Sequence, residues 1–230
     1  MPPMCAANEY HQAMLTLASA SPRREALLNL LGLPFVICPS DVDEANHTDE
    51  GPEAMAVRLS LAKARATLAQ VGSGYVVAAD TLVYLDGAIL GKPAGPAEAA
   101  DMLRRLRGRP HLVFSGITLA GGQAGRHRTR LAQTTVWMRN YGDEEIATYV
   151  ATGDPLDKAG SYAIQYRGFA PVARVDGCFA NVMGLPLCHL YDMLREVGLA
   201  PVDTPVTACD RFNRRTCDVA SRILSEDCRL

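Results

Sequence analysis

The chain has 230 residues, of which 48% are hydrophobic and 21% charged, and its formal net charge is -2. Such a composition is typical of a globular protein with one good core or two small ones. The balanced charge gives no support to a broadly basic surface, so we expect no nucleic acid partner, and phosphate binding would need locally placed cations. No apolar run reaches the roughly 18 residues that cross a bilayer, and the N-terminus shows no secretory signal. The seven cysteines are scattered and form no C-x-x-C pair, which favours reduced thiols. Together these features predict a cytoplasmic protein with no membrane partner.

The first third of the chain alternates short apolar strands with helices. Residues 14–18 and 35–38 predict buried strands, and 22–31 predict the helix between them. A longer helix is expected from about Pro52 to Gln70. Its predicted apolar stripe is Met55, Leu59, Ala62, Ala66 and Ala69. Lys63 would then lie at the edge of this stripe and extend its charge toward water, as lysines in that position usually do.

The middle of the chain predicts a central strand followed by a hairpin. Residues 74–80 form a near-continuous apolar run, typical of a strand buried on both faces, and the run ends in Asp80. A carboxylate at the carboxyl end of a buried strand lies where α/β sheets place their ligands, although an Asp that starts a turn is the common alternative. The hairpin would turn at Asp86-Gly87. A helix over 96–108, closed by Gly108, should follow.

The second half is predicted to start with two β-rich stretches, 111–120 and 131–139, joined by a glycine-rich turn. A helix over 142–151 would be capped by Asp143. Residues 153–184 are rich in glycine and predict an irregular region, and 184–199 predict another helix. Strands that alternate with helices, together with hairpins, indicate an α/β fold with a mixed sheet rather than a purely doubly wound one.

Residues 201–230 differ from the rest, with two early prolines, mixed charge and weak periodicity. We interpret them as a C-terminal tail, either disordered or loosely docked, unless the arginines and cysteines of this segment serve a partner. Residues 1–13 are interpreted as an N-terminal extension. The predicted domain therefore spans 14–200.

The stretch LASASPRREALL, which starts at Leu17, combines a helix start with an anion site. Ser21 as N-cap and Pro22 as the first helical residue explain the helix without any function. Arg23 and Arg24 need another reason, because the helix dipole disfavours cations in the first turn. Free backbone N–H groups, serine hydroxyls and two guanidiniums together predict a polyphosphate site.

Other charged motifs are weaker signals by themselves. GAILGKP only superficially resembles a P-loop, because it has three residues between its glycines and proline in place of Ser/Thr. Lys92 of this motif remains a candidate partner for a phosphate or carboxylate. The acidic run that contains Glu44 is either a solvated loop or a source of one ligand for Mg²⁺. The histidines show no metal-ligand spacing, and the polar loop 154–165 has the composition of many specificity loops.

Seven motifs occur in order: LASASPRREALL, SDVDE, LSLAKARA, AADTLV, LGKP, DPLDKAGSYAIQ and VMGLPL. Together they resemble the Maf family of nucleoside triphosphate pyrophosphatases over roughly residues 14 to 199. The resemblance implies a mixed, twisted sheet with flanking helices and two lobes around a cleft, similar to inosine triphosphatase. It also implies metal-assisted hydrolysis of a nucleoside triphosphate to the monophosphate and pyrophosphate, with Mg²⁺ or Mn²⁺, as a house-cleaning activity. A homodimer is left open.

The resemblance also implies roles for particular residues. Asp80 is the expected catalytic residue, and Glu44 and Asp80 are the expected metal ligands. The residues expected to bind phosphate are Ser19, Arg23, Arg24, Lys63 and Lys92.

Gln165, in KAGSYAIQ, is similar to the branch of the family that acts on dTTP and UTP. A neutral amide can accept from uracil N3–H and donate to a ring carbonyl, whereas a carboxylate would better suit a cationic base. Two alternatives stay open: the same reaction on 7-methylguanosine triphosphate or another modified nucleotide, and a non-catalytic nucleotide sensor in septum or division control.

Overall fold

The computed structural model describes residues 14–45, 50–122 and 125–227. The predicted N-terminal extension, residues 1–13, lies outside the described residues.

One mixed sheet organises the described chain. Its seven strands are β1 (Leu15–Leu17), β2 (Val36–Ile37), β3 (Tyr75–Leu85), β4 (Ala88–Leu90), β5 (Pro110–Gly121), β6 (His127–Met138) and β7 (Val172–Asp176). They lie in the order β2–β1–β3–β5–β6–β7, and β4 pairs with β3. Only β1 pairs in parallel, with β2 and β3, and the other pairings in the described sheet are antiparallel. The predicted mixed α/β sheet is confirmed.

Helices flank this sheet. They are α1 (Pro22–Asn29), α2 (Pro52–Val71), α3 (Pro96–Leu106), α4 (Asp143–Ala151), α5 (Phe179–Met183), α6 (Leu187–Glu196), α7 (Pro205–Asn213) and α8 (Ala220–Asp227). The prediction of an irregular region over 153–184 was wrong in part, because it contains β7 and α5 besides two 3-10 turns. These short elements were predicted as irregular because glycines flank them on both sides.

Residues 201–227 contain the helices α7 and α8 and pack on the core. Weak periodicity had suggested a disordered or loosely docked tail. The N–H of Val202 donates to the carbonyl of Leu31 at 3.0 Å. Cys209 of α7 and Ile223 of α8 pack against the apolar cluster under α1 and α6. The two helices bury these side chains against the rest of the chain, a contact that local periodicity cannot show.

Strand β3 is longer than predicted and passes through Asp80 rather than ending there. Its parallel pairing with β1 covers only Tyr75–Val77, whereas antiparallel pairing with β5 continues to Tyr84. Asp80 therefore lies just beyond the point where β1 leaves the sheet, which opens space beside it. The strand then turns at Asp86 and Gly87, whose φ values of 51° and 82° fit the predicted two-residue hairpin turn.

Two apolar clusters divide the molecule along β3. Val77 and Ala79 belong to a cluster with β1, α1 and α6. Val83 and Leu85 belong to a second cluster with α3, α4 and β6. The residues of β3 between them, Asp80 included, face the gap. The predicted two lobes around a cleft are thus present.

Helix α2 buries a different stripe from the one predicted. Met55 and Leu59 are buried as expected, but the buried face continues through Lys63 and Thr67, while Ala69 is exposed. The apolar pattern was misleading because buried polar side chains are bonded here: the Thr67 hydroxyl donates to the carbonyl of Cys38 at 3.3 Å. Lys63 is therefore inside the molecule and does not extend to water.

A close approach of α2 to β5 brings that buried face directly against the sheet. A Cβ atom on Gly116 would lie 2.2 Å from the carbonyl oxygen of Ala56, so only glycine allows this packing.

The helix termini differ from the predictions in detail. Ser21 precedes α1 as predicted, but its side chain makes no capping hydrogen bond. Asp143 is the first helical residue of α4 rather than its cap, and the cap is Gly142, whose N–H donates to Glu145 at 2.8 Å. Helix α3 ends at Leu106, two residues before the predicted Gly108.

Candidate functional site

A cleft of about 480 Å³ lies between the two lobes, a volume that suits a small-molecule ligand. Its walls come from the β1–α1 loop and the start of α1, the loop after β2, α2, β3, the segment after β4, the loop after α4, and α5. All the site residues predicted from the sequence line it: Ser19, Arg23, Arg24, Glu44, Lys63, Asp80, Lys92 and Gln165. The structure thus brings together residues from six separate segments.

Lys63 joins the two carboxylates that were predicted to act together. Its Nζ atom lies 2.6 Å from Asp80 Oδ1 and 2.6 Å from Glu44 Oε1. Lys63 and Asp80 are both buried, whereas the Glu44 side chain is 56% exposed. Burial raises the pKa of the Glu44 carboxyl, but the Lys63 hydrogen bond and charge outweigh it and hold the pKa below its usual value. The arrangement keeps two carboxylates beside one cation.

Arg24 is fixed on one wall of the cleft by neutral acceptors. Its Nε donates to the carbonyl of Gly184 at 2.9 Å, and its two Nη atoms donate to the hydroxyls of Ser19 and Thr81, each at 3.3 Å. Burial lowers the pKa of this guanidinium, and the charge of Asp80 opposes the shift. Since the acceptors are neutral, much of the positive charge of Arg24 remains available to an anion in the cleft.

Arg23 and Lys92 stand nearer the mouth of the cleft. Arg23 Nη1 lies 3.5 Å from Asp157 Oδ2, and its side chain is 25% exposed. Lys92 is exposed, and its charge helps to lower the pKa of the Glu44 carboxyl. The cleft therefore has buried charges at its floor and solvated cations at its rim.

The loop that carries Gln165 is anchored from behind. Tyr149 of α4 accepts the N–H of Ala163 at 3.0 Å and donates to Asp154 at 2.6 Å. The ammonium of Lys158, which is buried, lies 2.6 Å from Asp157 Oδ1. These contacts hold the loop so that Gln165, itself exposed, lies on the wall of the cleft.

Thr81 and Lys158 are among the lining residues that the sequence reasoning missed. Thr81 follows Asp80 directly and bonds both Arg24 and Ser115, the latter at 2.8 Å between hydroxyls. Lys158 stands inside the polar loop already noted. Their positions within the quoted motifs AADTLV and DPLDKAG were the available signal.

Behind the cleft, His111 is buried and bonded through Nε2 to the Tyr162 hydroxyl at 2.8 Å. Burial lowers the pKa of His111 to about 4, from an ordinary value of 6.5. The folded protein therefore keeps this histidine neutral between pH 6.5 and 4, while the unfolded chain takes up the proton. The contribution of His111 to the free energy of unfolding is therefore fully present above pH 6.5 and falls as the pH drops toward 4.

We expect His111→Gln to flatten this dependence. Since a second histidine, His189, also has its pKa lowered by burial to about 4, the variant should remove roughly half of the loss between pH 6.5 and 5. Urea unfolding of both proteins at pH 7, 6 and 5 measures the effect. An unchanged slope would show that His111 ionises in the folded protein as readily as in the unfolded chain.

The fold and the cleft define a mixed α/β protein with a cleft between two lobes that is lined by cationic and acidic side chains. The Maf-like protein family model matches residues 14–197, and the chain belongs to this family.

Curated relatives cover most of the same region. A protein of Moorella thermoacetica is 47% identical over 185 residues, 80% of this chain and 95% of its own length. Relatives from Syntrophus aciditrophicus and Methanosarcina mazei are 44% and 40% identical, over 80% and 82% of this chain and 90% and 96% of their own lengths. All three are named dTTP/UTP pyrophosphatase.

Among solved structures, that of the Staphylococcus aureus Ham1 protein is similar with a TM-score of 0.39 at 16% identity, over 56% of this chain and 74% of the other. None of the helices in the described ranges combines the length and apolarity that a membrane span requires.

Proposed function

We propose that this protein hydrolyses dTTP and UTP to the nucleoside monophosphate and pyrophosphate. The observation that carries the proposal is the cleft itself, whose lining combines the Asp80 carboxylate with five cationic side chains: Arg23, Arg24, Lys63, Lys92 and Lys158. Relatives named dTTP/UTP pyrophosphatase, at 40–47% identity, support the same reaction. Free thiols at Cys178 and Cys188 also support a cytoplasmic location.

The triphosphate would bind along the cationic wall. Arg24 is presented by neutral acceptors, and Arg23 reaches the same cleft from the mouth. Guanidiniums bind phosphate oxygens through two parallel N–H groups, which fixes direction as well as charge. Lys63 and Lys92 would neutralise the rest of the charge as point cations. Phosphoryl transfer depends mainly on such positioning and charge stabilisation.

Asp80 is the group proposed to handle the proton of the attacking water. Its carboxylate lies on the floor of the cleft, 2.6 Å from the Lys63 ammonium, which holds one oxygen in place. A water that attacks the α-phosphorus gives up a proton, and the carboxylate would orient this water and accept that proton. The bond between the α-phosphorus and the α–β bridging oxygen then breaks, and pyrophosphate leaves.

The donor set fits a divalent cation completed by substrate. The described residues contain no group of three or more His, Cys, Asp or Glu side chains able to hold a metal. Asp80 and Glu44, which share Lys63, supply two carboxylates, and Mg²⁺ is commonly bound by one or two carboxylates together with substrate phosphates. Mg²⁺ or Mn²⁺ held by these two residues would supply charge stabilisation on the phosphate oxygens.

A pyrophosphate-release screen tests the proposal. Purified protein is incubated with Mg²⁺ or Mn²⁺ and each standard nucleoside triphosphate, and with 7-methylguanosine triphosphate. We expect the highest kcat/KM with dTTP and UTP. Binding of nucleotide without release of pyrophosphate would instead support a sensor.

Gln165 is the proposed reader of the base. Its amide can match both the N3–H donor and a ring carbonyl of uracil or thymine. We expect Gln165→Glu to lower kcat/KM for dTTP and UTP by about 10- to 100-fold, because a carboxylate cannot donate to the carbonyl. Activity on 7-methylguanosine triphosphate should rise relative to dTTP. Parallel assays of both nucleotides measure the ratio, and an unchanged ratio would remove Gln165 from base selection.

A further inference from the structure

The two neighbouring arginines of the cleft have different partners. Arg24 donates to the carbonyl of Gly184 and to two hydroxyls. Arg23 instead pairs with a carboxylate, that of Asp157, which belongs to the loop on the opposite lobe, 134 positions along the chain. A neutral acceptor can stay in place when a phosphate arrives, whereas a carboxylate competes with the phosphate for the same guanidinium.

Asp157 is held in that competing position from behind. Its Oδ1 lies 2.6 Å from the Lys158 ammonium, while Oδ2 faces Arg23 at 3.5 Å. Lys158 is also bound by Asp154, whose Oδ1 lies 3.1 Å from the same ammonium. Burial raises the pKa of the Asp157 carboxyl, but the hydrogen bond and charge of Lys158 outweigh it and place the pKa below its usual value.

We propose that Asp157 is an affinity-setting residue, an internal competitor that occupies Arg23 until a substrate or product phosphate displaces it. This inference rests on the proposed function, because it assigns regulation to the same phosphate site. Displaced from Arg23, the carboxylate stays tied to Lys158 and therefore remains close to the phosphates, which it repels. The result is weaker binding of substrate and product alike, with faster release of pyrophosphate.

The substitution Asp157→Asn tests this idea with little change of shape. The amide oxygen can still accept from Lys158, and Asp154 still binds that ammonium, so the loop should keep its place. We expect the Kd of inorganic pyrophosphate, measured by calorimetry in Mg²⁺, to fall by roughly 3- to 10-fold, as for the loss of one partly solvated charge contact. The KM for dTTP should fall in parallel with the Kd of pyrophosphate. An unchanged or raised Kd would overturn the proposal.

Two comparisons separate competition from a structural effect. In an Arg23→Met background, Asp157→Asn should tighten pyrophosphate less than in the unaltered protein, because the contested guanidinium is gone and only the repulsion between Asp157 and the phosphates is relieved. The control is Asp101→Asn, which breaks an exposed pair with Arg104 on α3, outside the cleft, and should leave the Kd unchanged.

Ionic strength gives a further readout. The tightening should shrink between 50 and 500 mM NaCl, which are chosen to span strong and weak screening of about 14 to 4 Å Debye length. Equal tightening in the Arg23→Met background, or at both salt concentrations, would also overturn the competition. Pyrophosphate binding does not require hydrolysis, so a tightened Kd in a protein that releases no pyrophosphate from any nucleotide would contradict the proposed function alone.

Discussion

Asp80→Asn is expected to lower kcat for dTTP hydrolysis by about 10²- to 10⁴-fold while the protein still folds. The amide keeps an acceptor for Lys63, whose second partner, Glu44, stays in place. It cannot take a proton from water, and it is a poorer metal ligand than a carboxylate. The KM should change less than kcat, because the arginines that hold the triphosphate are untouched.

Steady-state kinetics with Mg²⁺ and with Mn²⁺ give the two constants, and circular dichroism with thermal melting verifies the fold. Asp86→Asn is a matched control, since Asp86 lies in the turn at the end of the same strand, and its carboxylate pairs with Arg109 outside the cleft. Asn also tolerates the left-handed conformation found there, where φ is 51°. Full dTTP hydrolysis by Asp80→Asn would show that another group activates the water.

Local sequence patterns predicted elements whose causes are local. Asp86-Gly87 between apolar runs forms the expected hairpin turn, and proline after a polar residue starts α1 where expected. Strand β3, in contrast, was predicted too short, because Asp80 looks like an end in the sequence. Its continuation depends on pairing with β5, which follows β4 and α3 in the chain.

The residues that line the cleft were predicted from the resemblance to the family motifs and not from the hydrophobic pattern of the sequence. No local rule places Arg23, Lys63 and Gln165 in one cavity, and the order of the family motifs supplied this grouping. The motifs could not predict which of those residues form ion pairs and hydrogen bonds with one another. The contact of Arg23 with Asp157 and the burial of Lys63 between two carboxylates depend on how the lobes meet.

Lys63 shows how a general rule can mislead. Lysine usually extends to solvent from the edge of an apolar stripe, and that was the prediction. Here Asp80 and Glu44 compensate its charge, and the close contact of α2 with Gly116 draws the helix onto the sheet. Charge compensation thus decides a position that hydrophobicity alone would place elsewhere.

Lys63→Met is expected to lower both stability and activity, and the addition of a divalent metal tests the physical reason. Removal of the ammonium leaves the buried carboxylate of Asp80 without its charged partner. Breaking a buried pair in this way costs about 3 to 5 kcal/mol, reduced here because Glu44 can turn to solvent, so we expect the free energy of unfolding to fall by roughly 2 to 4 kcal/mol. The kcat/KM for dTTP should fall at least about 100-fold, since a phosphate cation and the support of Asp80 are lost together.

The same substitution leaves two carboxylates without the cation between them, and that is a better site for a divalent metal in the absence of nucleotide. Mg²⁺ or Mn²⁺ should therefore raise the Tm of Lys63→Met more than that of the unaltered protein, because a metal that binds only the folded state stabilises it. Arg65→Met is the control, because Arg65 is exposed on the same helix and does not line the cleft; it should reproduce neither effect. If the metal raised the Tm of all three proteins equally, Asp80 and Glu44 would not be the ligands, and the role of Lys63 would be confined to the charge balance of the cleft floor.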